Sequence, residues 1–446
     1  MFSTAYKQHY QQTVKLALPI TLGQLSNILI AVADNMMVGN YDSQSLAPVS
    51  LANSIFLTIL LFGLGTSLGL TPLIAAAAAQ KEVRSCQSLL KNSLLLYGFL
   101  GIILSLISYF LAQHLDWFND FTDLTAKSKP FLEIISFTLF PFMLFMSVRG
   151  FMEGLSFTKE VMYVNFFGTF CNVFLNYLLI FGKFGFPEMG MIGAAIATLI
   201  SRFLMLLLII GVLFYRQKFK IYLEKINQTI ISVLTIKQLS KIGFPIGMQL
   251  VFEGGCFSFA AIMIGWLGKN ELAAHQIALN VASLTFLMTT GIASAAAIRV
   301  ANQRGMKDKE EMILAGKSAI FMAMGFMIFC AIALFTTRFL LPSFYVDDQN
   351  IINIAASLMV VAAIFQLSDG VQVVAMGVLR GMEDVKIPTI IALISYWVIG
   401  IPVGYFFGIY MKLGTEGVWL GLVIGLTVAA VWLYIRFLKI SQREIK

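Results

Sequence analysis

SKIGFPIGMQLVFEGGCFSFAAIMIGWLGKNELAAHQIALN, residues 240 to 280, opens the second copy of a pattern that first begins near Lys15. Sliding the second half of the chain over the first at a constant offset of 226 pairs Lys15 with Lys241, Pro19 with Pro245, Met37 with Met263, Gly39 with Gly265, Ala52 with Ala278, Gly65 with Gly291, Lys81 with Lys307 and Lys91 with Lys317. Apolar letters coincide easily in an apolar chain, but Pro, Gly and Lys recurring in one register do not. Further on the register drifts. Gly154 falls opposite Gly381, and Gly190-x-x-Gly193 opposite Gly414-x-x-Gly417, as small insertions between helices would produce. The same stretch holds an acid, Glu253, in a run of apolar and small residues.

The chain has 446 residues, 59% hydrophobic and 12% charged, which is more apolar surface than a soluble core of this length hides. A helical span needs roughly 20 apolar residues. Charged residues, Pro and Gly cut the sequence into twelve such blocks, near 15–38, 46–72, 89–113, 130–153, 160–182, 190–214, 240–268, 274–301, 315–340, 351–376, 388–411 and 415–439. The expected fold class is an all-α membrane protein, with twelve transmembrane helices in two six-helix lobes related by a parallel internal repeat. The N-lobe is expected at 1–215, a basic, partly amphipathic cytoplasmic linker on the membrane surface at 216–240, and the C-lobe at 241–446. Because each copy contains an even number of spans, both should sit in the bilayer with the same orientation, about a pseudo-twofold axis along its normal.

The formal charge is +8, but Lys and Arg are distributed as a topology signal rather than as a nucleic-acid surface. With the N-terminus in the cytoplasm, 24 of the 31 fall on the cytoplasmic side, including six from Arg216 to Lys241, five from Arg299 to Lys317 and four from Arg436 to Lys446. Lys127, Lys129, Lys183, Lys269, Arg338 and Lys412 remain outside, and Arg202 lies within a span. That asymmetry predicts cytoplasmic termini. A signal-peptide reading of the N-terminus fails because Pro19, Gln24 and Asn27 interrupt the apolar run and a similar pattern recurs in mid-chain. Cys86, Cys171, Cys256 and Cys330 have no zinc or disulfide spacing. No loop is long enough to house a nucleotide-hydrolysing domain.

An acid inside the bilayer is costly and is a functional candidate by default. Three qualify: Asp34, Glu253 and Asp369. At about 1.5 Å per residue, Glu253 counted from Lys241 and Asp369 counted from Arg380 both lie roughly 17 Å from the cytoplasmic anchors. On antiparallel helices of one half they can converge on one cation or share one proton, with Ser368 as a further oxygen. Counted in the same way, Asp34, Asn172, Asn176 and Thr198 lie roughly 20 to 28 Å deep, an oxygen set suited to Na⁺ or to a protonatable Asp34. Simpler readings stand beside these. Asp34 can sit in wet headgroups, Glu253 and Asp369 can form a structural pair, Asn172 and Asn176 can tie helices together, and Thr198 can bond its own backbone. Arg202 either counters an acid across a cavity or snorkels. Arg149 and Glu153, at i, i+4, pair most simply with each other. His275 reads as an interfacial hydrogen-bonding residue. His9, His114 and His275 fall outside or at the ends of spans, which argues against an intramembrane enzyme.

LALPITLGQLSNILIAVADNMMVGN at 16–40, NVFLNYLLIFG at 172–182, GMIGAAIATLISR at 190–202 and AAHQIALNVASLTFLMTTGIASAAAIRVANQRG at 273–305 resemble the multidrug and toxic compound extrusion (MATE) transporters, in particular the NorM-like branch. The resemblance spans nearly the whole chain and implies two lobes exchanging substrate and cation by alternating access. Residue by residue, Asp34 matches the acid of the family's first helix, with Asn172, Asn176 and Thr198 as N-lobe partners. Glu253 and Asp369 match its C-lobe cation-binding acids. Phe365 departs from members that carry Tyr there.

Residues and resemblance together predict a cation-coupled antiporter, driven by Na⁺ or H⁺, that expels amphipathic, often cationic compounds. The ion would bind at Glu253, Asp369 or Asp34, and no cofactor is expected. The alternative is a flippase or exporter of lipid-linked precursors, which would require a cavity rich in Arg and Lys. The expected setting is a bacterial-type inner membrane, with lipid and small molecules rather than nucleic acid as partners, and a monomeric state.

Overall fold

A computed structural model describes residues 4–42, 45–117, 122–224 and 226–442. Lys225, Arg443, Lys446 and the side chain of Asn27 lie outside the described residues. The chain is built from long helices. α1 runs Thr4–Tyr41. The spans that follow are α2 Ala47–Ala79, α3 Val83–Gln113, α4 Asp123–Gly154, α5 Thr158–Ile180, α6 Gly190–Tyr215, α7 Val233–Gly265, α8 Lys269–Gly305, α9 Lys309–Thr336, α10 Gln349–Gly381, α11 Lys386–Tyr410 and α12 Gly414–Ser441. The last eleven are each long and apolar enough to cross a membrane. With α1 the architecture is the twelve-helix one expected.

Most helices outrun the apolar blocks that mark them. α3 begins six residues before position 89, and α7 seven before position 240. Backbone hydrogen bonding continues past the hydrocarbon boundary into charged turns, and hydropathy carries no signal of that continuation. α11 departs from regular geometry, with π-helical turns at Ile394–Gly400 and Phe406–Tyr410 flanking Ile401–Tyr405. Pro402 lies between the two widened turns and lacks an N–H, a common origin of such bulges.

Two compact units are present. One comprises Leu22–Gly247, which is the rest of α1, α2 to α6, the linker and the start of α7. The other comprises Met1–Thr21 with Met248–Lys446. Within the first unit α2 crosses the start of α7 so closely that a Cβ at Gly65 would lie 2.7 Å from the Gly247 Cα. Within the second, the repeat-related Gly291 of α8 meets the start of α1, where a Cβ would collide with the Thr21 hydroxyl. Small residues at such crossings allow membrane helices to pack backbone to backbone. The repeat also appears in the turns. Lys81 and Lys307 adopt left-handed φ of 59° and 60°, and Ser156 and Glu383 follow with 67° and 59°.

The linker is pinned rather than free. Phe219 is buried against Phe157, at 4.8 Å between ring centroids. On α3, the Gln87 amide donates to the carbonyls of Ile221 (3.3 Å) and Glu224 (2.6 Å), Lys91 Nζ donates to that of Thr229 (2.7 Å), and Asn92 Oδ1 accepts from the Ser232 amide (2.9 Å).

Candidate functional site

The second half of α1 packs on α5 through a polar stripe at helical spacing, Asn165, Thr169, Asn172 and Asn176. Thr169 Oγ1 donates to the Ser26 carbonyl at 3.0 Å. Two turns further out the stripe reaches Asp34. Asn176 Nδ2 donates to Asp34 Oδ1 and, at 3.2 Å, to Asn172 Oδ1. Thr198 on α6 donates to Asp34 Oδ2 at 3.4 Å and accepts from Asn172 Nδ2 at 3.4 Å. α6 gets close enough because Gly193 has no side chain, since a Cβ there would lie 2.6 Å from the Leu179 carbonyl oxygen. All four residues expected to form an N-lobe cluster therefore meet in one unit. Arg202, one turn beyond Thr198, lies over the Phe142 ring at 4.9 Å from its centroid, and its charge acts on Asp34. Among the described residues, the buried Asn176 Oδ1 has no hydrogen-bond partner.

In the other unit Glu253 (α7) and Asp369 (α10) are 7% and 2% exposed. Two groups hold the Glu253 carboxylate. Tyr396 Oη donates to Oε1 at 3.3 Å, and Gln372 Nε2 lies 3.5 Å from the same atom. The charges of Glu253 and Asp369 act on each other and on Tyr396. No hydrogen bond joins the two acids among the described residues. Asp369 Oδ2 and Gln372 Oε1 are buried without partners among the described residues, as is Gln366 Nε2. Buried polar groups normally find partners, so these unpaired atoms set that side of α10 apart from its apolar sides. Close α8–α10 packing fixes that face, since a Cβ at Gly377 would lie 2.3 Å from the Ala293 carbonyl oxygen.

Some expectations change. Ser368 does not join the acids; its hydroxyl pairs with Thr427 Oγ1 on α12 at 2.7 Å, because consecutive helical positions face different ways. His275 is fully buried and keeps the hydrogen-bonding role expected of it, Nδ1 accepting from Trp419 Nε1 at 3.1 Å. Phe365 packs between Phe257 (6.3 Å) and Trp419 (6.0 Å). Arg149 Nε donates to Glu153 Oε1 at 2.7 Å, as their spacing predicts. Sequence reading missed Gln366, Gln372 and Tyr396. The glutamines left a signal, since Gln366, Asp369 and Gln372 recur every three residues on an otherwise apolar helix. Tyr396 left none, because the π-helical turn that aims it at Glu253 cannot be read from composition.

The MatE family profile matches the chain twice, over residues 19–178 and 245–406, so the two matches begin at Pro19 and Pro245, the pair that heads the repeat. The "Probable multidrug resistance protein NorM" of Idiomarina loihiensis is 33% identical, covering 99% of this chain and 96% of that protein. The "Multidrug resistance protein NorM" of Photobacterium profundum is 30% identical over 97% of this chain and 95% of its own length. In three dimensions the chain superposes on the eukaryotic MATE transporter AtDTX14 with a TM-score of 0.88 at 19% identity, covering 99% of this chain and 100% of that one. The chain belongs to the MatE family, and it is an integral membrane transporter rather than an enzyme.

Proposed function

We propose that the protein is a cation-coupled antiporter that exports amphipathic, often cationic small molecules by alternating access. The observation that carries this reading is a carboxylate cluster in each unit, half-buried Asp34 with Asn172, Asn176 and Thr198 in one and buried Glu253 and Asp369 with Gln372 and Tyr396 in the other, each with polar atoms left unpaired among the described residues. Carboxylates retained at such depth are costly unless an ion or proton occupies them during the cycle. The relatives' names supply the cargo class, multidrug resistance.

Either Na⁺ or H⁺ fits the donor set. Na⁺ would take carboxylate, amide and hydroxyl oxygens, whereas a proton would reside on the acids themselves. Coupling requires that ion and cargo favour different states, because a ligand binding both states equally shifts nothing. The proposed setting is the bacterial cytoplasmic membrane with both termini inside, the protein acting as a monomer. Active efflux of a fluorescent cation from cells expressing Glu253→Gln or Asp369→Asn tests the reading. Loss in both variants supports C-lobe coupling, and unchanged efflux in both removes it.

A further inference from the structure

Before α1 enters the membrane its first turns lie on the ends of α8 and α9, away from both carboxylate clusters in sequence. Arg299 on α8, 5% exposed, directs its guanidinium entirely at this segment. Nη1 donates to the His9 carbonyl at 2.9 Å and to Thr13 Oγ1 at 2.7 Å, while Nη2 donates to Gln12 Oε1 at 2.9 Å and to His9 Nδ1. The His9 ring is 4% exposed, and its other nitrogen, Nε2, meets Glu311 Oε2 of α9 at 3.0 Å. One imidazole therefore bridges a cation on α8 and an anion on α9.

The bridge fixes the tautomer. Facing an arginine that has no lone pair to offer, Nδ1 must accept, so the ring proton sits on Nε2 and is donated to Glu311. A second proton would have to go on Nδ1, setting donor against donor and cation against cation. We propose that His9, Arg299 and Glu311 form a proton-operated latch that holds the first turns of α1 on α8 and α9 and loosens when His9 is protonated.

The electrostatics agree with the geometry. Burial and, next, the Arg299 charge hold His9 below its ordinary 6.5, against a smaller upward pull from Glu311. Among the described residues, Arg299 from α8 and Glu311 from α9 are the charged groups acting on the ring, and on its own helix the neutral Gln12 and Thr13 bond the same guanidinium. The latched state binds a proton less well than a free histidine. Its stability is thus complete above about pH 6.5 and falls as pH drops below that value. α1 is one continuous helix that goes on to carry Asp34, so the latch governs how firmly the cytoplasmic end of that helix is held. The device stands whichever ion drives transport.

Amide hydrogen exchange over residues 6–16, corrected for intrinsic rates, at pH 7.5 and 5.5 in wild type and His9→Gln provides the test. Protection should fall severalfold at pH 5.5 in wild type and stay equal at both pH values in His9→Gln, while protection in α10 stays constant in both. Equal wild-type protection at the two pH values, or the same pH response in His9→Gln, would overturn the latch. If the variant does not fold, the titration of His9 in histidine-labelled wild type decides by NMR: a midpoint below 6.5 supports the latch, and one at or above 6.5 contradicts it.

Discussion

The hydroxyl of Tyr396 lies 3.3 Å from Oε1 of Glu253 and donates to it from a π-helical turn of α11. The same turn aims Trp397 at α7, where Nε1 donates to the Phe252 carbonyl at 2.9 Å, so two consecutive aromatics grip the helix segment that carries the acid. A hydrogen bond to a charged group is worth about 1.5–3 kcal/mol, or roughly a tenfold effect or more. Tyr396→Phe keeps the packing and removes that bond. It should weaken the apparent affinity for the coupling ion by about tenfold with little change in thermal stability, measured as the ion dependence of efflux in proteoliposomes.

The N-lobe cluster makes a separate prediction. Asn176 is the residue that donates to both Asp34 and Asn172. Asn176→Ala leaves the half-buried Asp34 without its Asn176 partner and should cut active efflux by about tenfold or more, as the loss of a charge-assisted bond implies. Wild-type efflux in this variant would mean that the cluster only ties α1 to α5.

Arg149 and Glu153 are about 4% exposed and bonded to one another. Breaking a buried pair from one side costs about 3–5 kcal/mol, whereas replacing both partners with apolar residues is often neutral. Glu153→Gln should therefore lower the melting temperature markedly, and Arg149→Met with Glu153→Met should recover most of the loss. A double variant no better than the single one would show that Arg149 has a further role.

Gly377 tests the scaffold. A Cβ 2.3 Å from the Ala293 carbonyl oxygen cannot be relieved by a side-chain rotation. Gly377→Ala should destabilise the protein by about 1–3 kcal/mol through overpacking, read as a lower melting temperature. It should also disturb the Asp369 face of the same helix. The exposed Gly211, with nothing near its Cβ, is the control.

Most of the fold was legible because the bilayer imposes it. Hydropathy sets span length, and the Pro, Gly and Lys register set the repeat, which recurs in the paired left-handed turns at Lys81 and Lys307. The polar clusters were legible where an acid or amide stood alone in an apolar span, as at Asp34, Asn176, Glu253 and Asp369. Ser368 misled because adjacency in sequence is not adjacency on a helix face. Tyr396 was invisible because its role depends on the local winding of α11, and His9 because a residue outside the spans acquires meaning only from Arg299, far along the chain. The two compact units also divide α1 after Thr21 and α7 after Gly247, since each helix start packs with a partner that sequence order does not reveal.

The central claim is that a cation gradient drives export. Its most direct test is transport of a fluorescent cation in proteoliposomes under an imposed Na⁺ gradient and, separately, an imposed pH gradient. The account predicts transport against the substrate gradient under at least one of the two, abolished in the Glu253→Gln, Asp369→Asn double variant. No response of the wild-type protein to either gradient would contradict it.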